Sequence, residues 1–186
     1  DALKRKAEGK LKPGEDVQVD AQGRVSVAGQ ISVMGINAIL AKIIFDKNPD
    51  HEFYVEESYP LDWMNPYMIP YGIIMKIERH PVPEITEEMI RKDHEFWRRY
   101  SKRLCGDVVR YDTTVDELCQ FVDKVYRRGD LSGYTGDPKF VRDNDAQKAF
   151  SKLRNTMARI YAWRAINTTN VQERLRMIRE AEFAYK

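Results

Sequence analysis

The stretch YGIIMKIERHPVPEITEEMI, residues 71–90, decides the fold, because the chain changes its character within it. Residues 71–77 are mostly apolar and rich in isoleucine, which predicts a strand. Proline follows at positions 81 and 83. Since proline fixes φ and lacks an amide donor, residues 80–83 predict a rigid linker. Thr86 then opens the segment 86–104, whose apolar residues recur at helical spacing. We therefore expect a sheet-containing part before residue 83 and a helical part after it.

The sequence before the linker predicts a small α/β unit over residues 1–82, which begins with a charged helix. Two alternating runs around a glycine-containing turn, residues 17–27, predict a β-hairpin. Residues 31–45 predict a helix that is apolar nearly all round, so we expect this helix to be buried on more than one side. Residues 52–57, EFYVEE, alternate and contain aromatic side chains, which predicts a strand.

The sequence after the linker predicts four helices, over residues 86–104, 115–126, 145–165 and 171–186. Thr114 and Glu117 have the spacing of a capping box before the second of them. The short segment 167–169 makes the last two helices an αα-hairpin. Small residues are expected near its crossing, namely Ala158, Ala162, Ala181 and Ala184. We therefore predict an α+β fold in which residues 83–186 form a helical region that begins a helical-repeat array of tetratricopeptide type.

Composition and charge exclude several classes of function. The chain has 186 residues, of which 42% are hydrophobic and 32% charged, as in ordinary globular proteins. Its formal net charge is +2, so no global field attracts nucleic acid or an anionic membrane. Lys42 lies within the apolar segment 27–45, and a charge there favours a buried helix over a membrane span.

The ends of the chain carry information of their own. The sequence opens with Asp1 and closes on Lys186, inside an amphipathic helix that no cap, glycine or proline follows. Since nothing in the sequence stops that helix, we expect the chain to be a piece of a longer protein.

One candidate ligand-binding site is acidic and lies at the end of the predicted strand and in the loop after it. It consists of Glu56, Glu57, Asp62 and Trp63. Ligands of α/β sheets favour strand ends. Two acids close together raise the pKa of one of them for acid–base work, and an indole beside them suits a sugar. The alternative is that Glu57 and Asp62 cap a turn while Trp63 fills the core.

A candidate anion-binding site is the basic run in the second half of the segment 86–104. It consists of Arg98, Arg99, Lys102 and Arg103. Together with Trp97 this pattern is typical of an RNA or phosphate surface. The first half of the same segment is acidic, and that order of charges is the one a helix dipole favours. The run therefore also fits an ordinary solvated helix end.

The remaining motifs point away from metal and cofactor chemistry. The three histidines lie in three different segments and have no metal-binding spacing. The sequence contains no phosphate-binding loop, nucleophile elbow or dinucleotide fingerprint. We therefore predict no metal, no cofactor and no catalytic residue within the chain. Asp93 projects between apolar turns of its helix and is predicted to be a buried acid with a hydrogen-bond partner. Cys105 and Cys119 either pair or remain small buried thiols.

The segment NPDHEFYVEESYPLDWM, residues 48–64, resembles a passage in a family of large bacterial polytopic membrane proteins. Residues 67–76 and the run DPKFVR, residues 137–142, resemble the same family. Its members are similar to protein O-mannosyltransferases, which are GT-C-type glycosyltransferases that use lipid-linked sugars. A soluble C-terminal part follows their membrane domain, and in some members a tetratricopeptide array follows that. The resemblance covers residues 30–80 well and the helices loosely.

The resemblance implies a membrane-tethered domain on the extracytoplasmic, periplasmic face. In such enzymes the catalytic acid lies in an early loop between membrane spans, which would precede Asp1. No catalytic residue is therefore carried over to this chain. A periplasmic setting also implies that a disulfide between Cys105 and Cys119 is possible.

Three expectations about function follow. The first is a non-catalytic accessory or interaction domain of a membrane glycosyltransferase-like protein. Its partners are the parent membrane domain and a protein or peptide bound by the helical region, with no nucleic acid expected. The second is an enzyme domain that acts on carbohydrate through the acidic loop between Glu56 and Asp62. The third is a phosphate or nucleic-acid binder that uses the run between Arg98 and Arg103, with binding that weakens steeply with salt.

Overall fold

The predicted α+β class is confirmed by the computed structural model, which describes residues 2–186. The helices are α1 Ala2–Ala7, α2 Gln30–Lys47, α3 Glu87–Cys105, α4 Val115–Val122, α5 Pro138–Arg142, α6 Asn144–Asn167 and α7 Val171–Tyr185. The strands are β1 Asp16–Val19, β2 Val25–Ala28, β3 Phe53–Val55, β4 Met68–Tyr71 and β5 Ile74–Ile77. The predicted charged helix at the start corresponds to α1, and residue 1 lies outside the described residues.

The contacts divide the chain into two compact units. One unit extends to His51 and includes Leu61–Trp63, and the other contains Glu52–Pro60 and Met64–Lys186. The sequence placed a boundary between residues 82 and 83, so the division differs from that prediction. The physical reason is that β4 packs against α3 and α6, which joins the three-stranded sheet to the helices.

The first unit contains the predicted hairpin, which is confirmed. Strands β1 and β2 pair antiparallel, with Val17 opposite Val27, and Val17 is completely buried. Beside this hairpin Arg5 donates a 2.5 Å hydrogen bond to Glu15. The hydrogen bonds from the Arg5 side chain and from the amide of Lys12 lower the pKa of Glu15 to about 2. Glu15 therefore stays ionised and links α1 to the start of β1.

Helix α2 forms as predicted, but its predicted burial is wrong. Ser32 and Phe45 are its buried residues. Its exposed large apolar side chains are Ile31, Val33, Ile36, Ile39, Leu40, Ile43 and Ile44. The described part of its unit offers one short helix and a two-stranded sheet, and so small a surface does not cover an 18-residue helix. Across residues 2–186, no helix combines the length and the apolar character needed to cross a membrane.

The sheet of the second unit has the order β3-β5-β4, with both pairs antiparallel. The predicted strand over residues 52–57 is confirmed as β3. The predicted strand over residues 71–77 is wrong in its extent, because it spans the end of β4, a turn at Gly72 and then β5. Strand β4 was missed because Pro70 lies within it. Proline is tolerated there because β4 is an edge strand and needs fewer amide donors.

Local signals correctly located the long helices. Thr86 accepts a hydrogen bond from the amide of Met89 at the start of α3, and the capping box of Thr114 and Glu117 is present at the start of α4. Helix α4 ends earlier than predicted and continues as a π-helical segment, Asp123–Arg127. The short helix α5 lies between two of the predicted helices, where no helix was predicted. Helices α6 and α7 form the predicted αα-hairpin, whereas a tetratricopeptide array remains a prediction.

Gly72 provides a test of how tightly the β4–β5 turn packs on α3. Its φ is +67°, and a Cβ at this position would lie 3.3 Å from Cε2 of Phe96. Gly133 is a matched control, because its φ is +72° but a Cβ there meets no atom within 4 Å. We expect Gly133→Ala to cost about 1 kcal/mol for its backbone conformation. We expect Gly72→Ala to cost roughly 1 kcal/mol more, because Phe96 must shift. Urea unfolding measures both, and equal losses would show that the Phe96 contact is not tight.

Candidate functional site

The αα-hairpin of the second unit carries five of the eleven buried polar or charged residues found within residues 2–186, and its turn lines a pocket. Asp143 caps α6 by accepting from the amides of Asp145 and Ala146. Asn170 caps α7 by accepting from the amides of Gln172 and Glu173. The small residues expected at the crossing pack as predicted, since Ala158, Ala181 and Ala184 are buried and Ala162 is half-buried. Because small side chains occupy the contact between α6 and α7, these two helices pack closely. The larger buried side chains of both helices also contact other elements.

Asp93 of α3 is the most strongly buried acid of this region. It is 5% exposed, and the hydroxyl of Tyr161 donates a 2.8 Å hydrogen bond to its Oδ2 atom. Burial raises the pKa of Asp93 to about 6, although the Tyr161 bond and the charge of Arg154 oppose the rise. Within residues 2–186 its Oδ1 atom has no hydrogen-bond partner. The prediction of a buried, hydrogen-bonded acid at this position is confirmed.

Arg154 of α6 supplies the nearby positive charge. It is 3% exposed and donates to the carbonyl of Phe183. Its guanidinium carbon lies 5.0 Å from the ring centre of Trp97 and 4.9 Å from that of Phe183. Burial lowers the pKa of Arg154 to about 10, and the charge of Asp93 opposes this change. Arg154 therefore remains charged at neutral pH and balances Asp93 inside the protein.

A second buried acid, Glu180 of α7, is bound on both of its oxygens. His94 Nε2 lies 2.5 Å from Glu180 Oε2, and the Tyr111 hydroxyl donates a 3.1 Å bond to Oε1. The His94 ring also packs on Phe183, with the ring centres 4.9 Å apart. Because both acids are engaged by side chains of the same unit, this network holds α3 against the hairpin.

A polar pocket of about 330 Å³ lies beside the turn between α6 and α7. Its lining residues are Pro66, Val82, Pro83, Trp163, Arg164, Asn167, Thr168, Thr169 and Glu173. Arg164 is 6% exposed and donates to the carbonyls of Val82, Pro66 and Met68. Burial lowers the pKa of Arg164, and the charge of Glu173 opposes this. The pocket thus places one buried cation and one buried anion in the same wall.

A larger pocket of about 570 Å³ lies between the β4–β5 hairpin and α3. Its walls are mostly apolar and include Tyr71 and Phe96. The two lysines that line it already have partners. Lys76 lies 3.0 Å from Glu52, and Lys92 is exposed and paired with Glu88. Asp93 also lines this pocket, and within residues 2–186 its Oδ1 atom has no hydrogen-bond partner.

The predicted acidic site is divided between the two units. Glu56 and Glu57 belong to the second unit, whereas Asp62 and Trp63 belong to the first. The hydroxyl and the amide of Ser58 both donate to Glu56 and lower its pKa. This direction is opposite to the one that a general acid needs. Trp63 packs on Phe45 with a centroid distance of 5.3 Å. A ligand at these four residues remains a prediction.

The predicted basic run lies on the exposed side of α3. Arg98, Arg99, Lys102 and Arg103 are all exposed. In the acidic first half of the helix, Glu88 pairs locally with Arg91 at 2.8 Å, whereas Glu87 pairs with Arg176 of α7. Anion binding by the basic run remains a prediction.

The cysteines and histidines form no combined site in the described part of the chain. Cys105 and Cys119 are both free, the first buried and the second exposed. The buried-thiol alternative therefore describes Cys105 and does not describe Cys119. Burial raises the pKa of the Cys105 thiol. No group of metal-binding side chains is present among residues 2–186.

Sequence reasoning missed Arg154, Arg164 and Glu180. A signal for the two arginines exists in the heptad spacing of α6. Arg154, Met157, Tyr161 and Arg164 follow one another at intervals of three or four residues and are all buried. A charged residue in register with an apolar stripe predicts a buried charge. The partner of Glu180 carries no such signal, because His94 is 86 residues away in the chain.

Comparisons with protein-family models, with curated proteins and with solved structures gave no match to this chain.

The raised pKa of Asp93 predicts that the stability of the protein depends on pH. Its pKa is about 6 in the folded protein and 3.8 ordinarily, so the folded state holds the proton more tightly than the unfolded state does. The stabilisation from Asp93 is complete below about pH 4 and is lost as the pH rises through 6. Asp93→Asn keeps an acceptor for Tyr161 and does not titrate. We expect the wild-type free energy of unfolding, relative to this variant, to fall by on the order of 2 kcal/mol between pH 4 and pH 7.

Urea unfolding at several pH values measures this difference, and exposed Asp116→Asn is the control for removing a carboxylate. The charged or titratable side chains that act on Asp93 besides Tyr161 are Arg154 and His94, and both are retained in the variant. A difference between wild type and Asp93→Asn that does not change with pH would contradict the raised pKa.

Proposed function

We propose that this chain is a non-catalytic interaction domain that binds an amphipathic helix of a partner protein on the outer face of α7. The observation that carries the proposal is an exposed apolar stripe. Val171 is 61% exposed, Leu175 49%, Ile178 40% and Tyr185 61%. These residues follow one another at intervals of four, three and seven positions, which places them on one side of a helix.

The opposite side of α7 is already occupied by its own unit. Met177 and Ala184 are almost completely buried, and α7 packs mainly on α6. A helix with apolar residues on two faces is typical of a position between two neighbouring elements. Two helices pack when a row of side chains three or four residues apart on one of them fits into a groove of the other. The outer stripe of α7 has this spacing, so it forms a ridge that fits the groove of a further helix. An amphipathic helix is therefore the partner that the stripe fits.

The wider proposal is that this domain belongs to a membrane glycosyltransferase-like protein and lies on its periplasmic face. Its support is the resemblance of residues 48–64, 67–76 and 137–142. In that setting the bound helix belongs either to the parent protein or to a protein that the parent recruits. The exposed basic run of α3 and the divided acidic residues add no observation that favours nucleic acid or carbohydrate chemistry over this role.

Site-specific photo-crosslinking tests the helix-binding role. A photoreactive phenylalanine analogue replaces Leu175 or Ile178, and the complete protein is expressed in its native cells. Gln172 is the control, since it is exposed on α7 but lies outside the stripe. We expect adducts from positions 175 and 178 and few from 172, with the attached peptides coming from an amphipathic helix.

Once that helix is known, its affinity is measured for the wild type and for Leu175→Glu. Because burying one leucine contributes about 1.5–3 kcal/mol, we expect Leu175→Glu to weaken binding by at least about tenfold. Gln172→Glu introduces the same charge outside the stripe and is expected to have little effect. Equal adducts from all three positions, or attached peptides without helical apolar spacing, would contradict the proposal.

A further inference from the structure

We infer that the pocket beside the α6–α7 turn binds a neutral, ring-shaped polyhydroxylated molecule, such as one sugar ring or an inositol. This site is independent of the helix-binding stripe, because neither Leu175 nor Ile178 lines the pocket. The volume of about 330 Å³ lies at the lower end of the range of roughly 300–1,000 Å³ for small-molecule pockets. The pocket therefore suits a ligand of one ring.

The first argument is the balance of charge. Arg164 and Glu173 are the charged residues of the wall, and they are 6% and 9% exposed. Nε of Arg176 donates a 3.0 Å bond to Oε2 of Glu173, and Arg176 also pairs with Glu87. The positive charges of Arg164 and Arg176 and the negative charges of Glu173 and Glu87 sum to zero. A pocket without net charge favours neither a phosphate nor an amine, because a charged ligand would lose its water without gaining a counter-ion.

The second argument is the hydrogen-bonding capacity that the protein leaves unused. Within residues 2–186, neither Nε of Arg164 nor Oε1 of Glu173 has a hydrogen-bond partner. One is a donor and the other an acceptor. Both atoms have almost no accessible surface, so a ligand reaches them only after the wall side chains around them shift. A bond to either atom then removes the cost of an unpaired buried polar group. A hydroxyl group both donates and accepts, and a molecule with several hydroxyl groups meets both needs.

The third argument is the rest of the wall. Asn167 and Thr169 are exposed at the pocket. The side-chain amide of Asn167 donates to the carbonyl of Trp163 at 2.8 Å, which leaves its oxygen as an acceptor. Trp163 lines the same pocket and is half-buried. The guanidinium carbon of Arg164 lies over the Trp163 ring, 5.3 Å from its centre, so only the other face of the indole can offer a flat apolar surface to the C–H groups of a ring. A flat surface suits a cyclic polyol better than an open chain.

Titration of the whole chain with single compounds tests the site. The probes are glucose, mannose and myo-inositol, with inorganic phosphate and ethylamine as charged comparisons. Binding is followed by tryptophan fluorescence and by saturation-transfer NMR up to 50 mM. We expect saturable binding of at least one ring polyol, with weaker or no binding of phosphate and ethylamine.

Variants then locate the bound molecule. Because Asn167 and Thr169 are exposed, Asn167→Ala and Thr169→Val leave the core intact, and each is expected to weaken binding by about 3–10-fold. Trp163→Ala is expected to weaken it by at least tenfold. Ser151→Ala removes an exposed hydroxyl of α6 outside the pocket and is expected to have no effect. Melting temperatures of all four variants show whether any loss reflects folding.

Three results would overturn the inference. They are the absence of saturable binding by every ring polyol up to 50 mM, tighter binding of phosphate or ethylamine than of any ring polyol, and binding that Asn167→Ala and Thr169→Val leave unchanged in folded protein. None of them bears on the helix-binding role, because that role is read out by adducts at positions 175 and 178. Failure of one proposal is therefore distinguishable from failure of the other.

Discussion

Arg164 satisfies the constraint on which the second unit depends most. The proline-containing segments before β4 and before α3 place backbone carbonyls inside the protein, and proline cannot supply amide donors to pair with them. The guanidinium group of Arg164 donates to two of these carbonyls, those of Pro66 and Val82, and to the carbonyl of Met68 at the start of β4. Helix α6 is thus joined to the sheet edge and to the linker by one side chain. The Pro66 carbonyl also accepts from the amide of Val82, but any buried carbonyl left without a partner by the loss of Arg164 would cost about 1–3 kcal/mol.

The same principle explains the second buried arginine. Arg154 and Asp93 are nearly inaccessible to solvent, and each reduces the cost of burying the other, as their opposing effects on pKa show. Two aromatic rings cover the guanidinium group, which suits its weakly hydrated, planar form. Removing one charge of such a pair is more harmful than replacing both, because it leaves the other uncompensated.

The αα-hairpin therefore has three different surfaces. Its inner side carries the buried charges that hold α3 and the sheet. The outer side of α7 carries the apolar stripe proposed to bind a helix, and the turn between the helices forms a wall of the polar pocket.

The first unit differs from the second because it covers its main helix poorly. Its helix α2 exposes apolar side chains on several sides, because the hairpin beside it has only two strands.

The sequence by itself determined the positions of the long helices and of the first β-hairpin, because their signals are local. Thr86 and the Thr114–Glu117 pair cap helices through bonds that span three residues, and the alternation in residues 17–27 specifies its own turn. Only the tertiary structure decided which faces are buried. The bonds of Arg164 reach up to 98 residues along the chain, and Pro70 fits a strand only because β4 lies at an edge. Burial of α2 was predicted wrongly for the same reason: periodicity describes a helix, whereas burial depends on the area that other elements offer it.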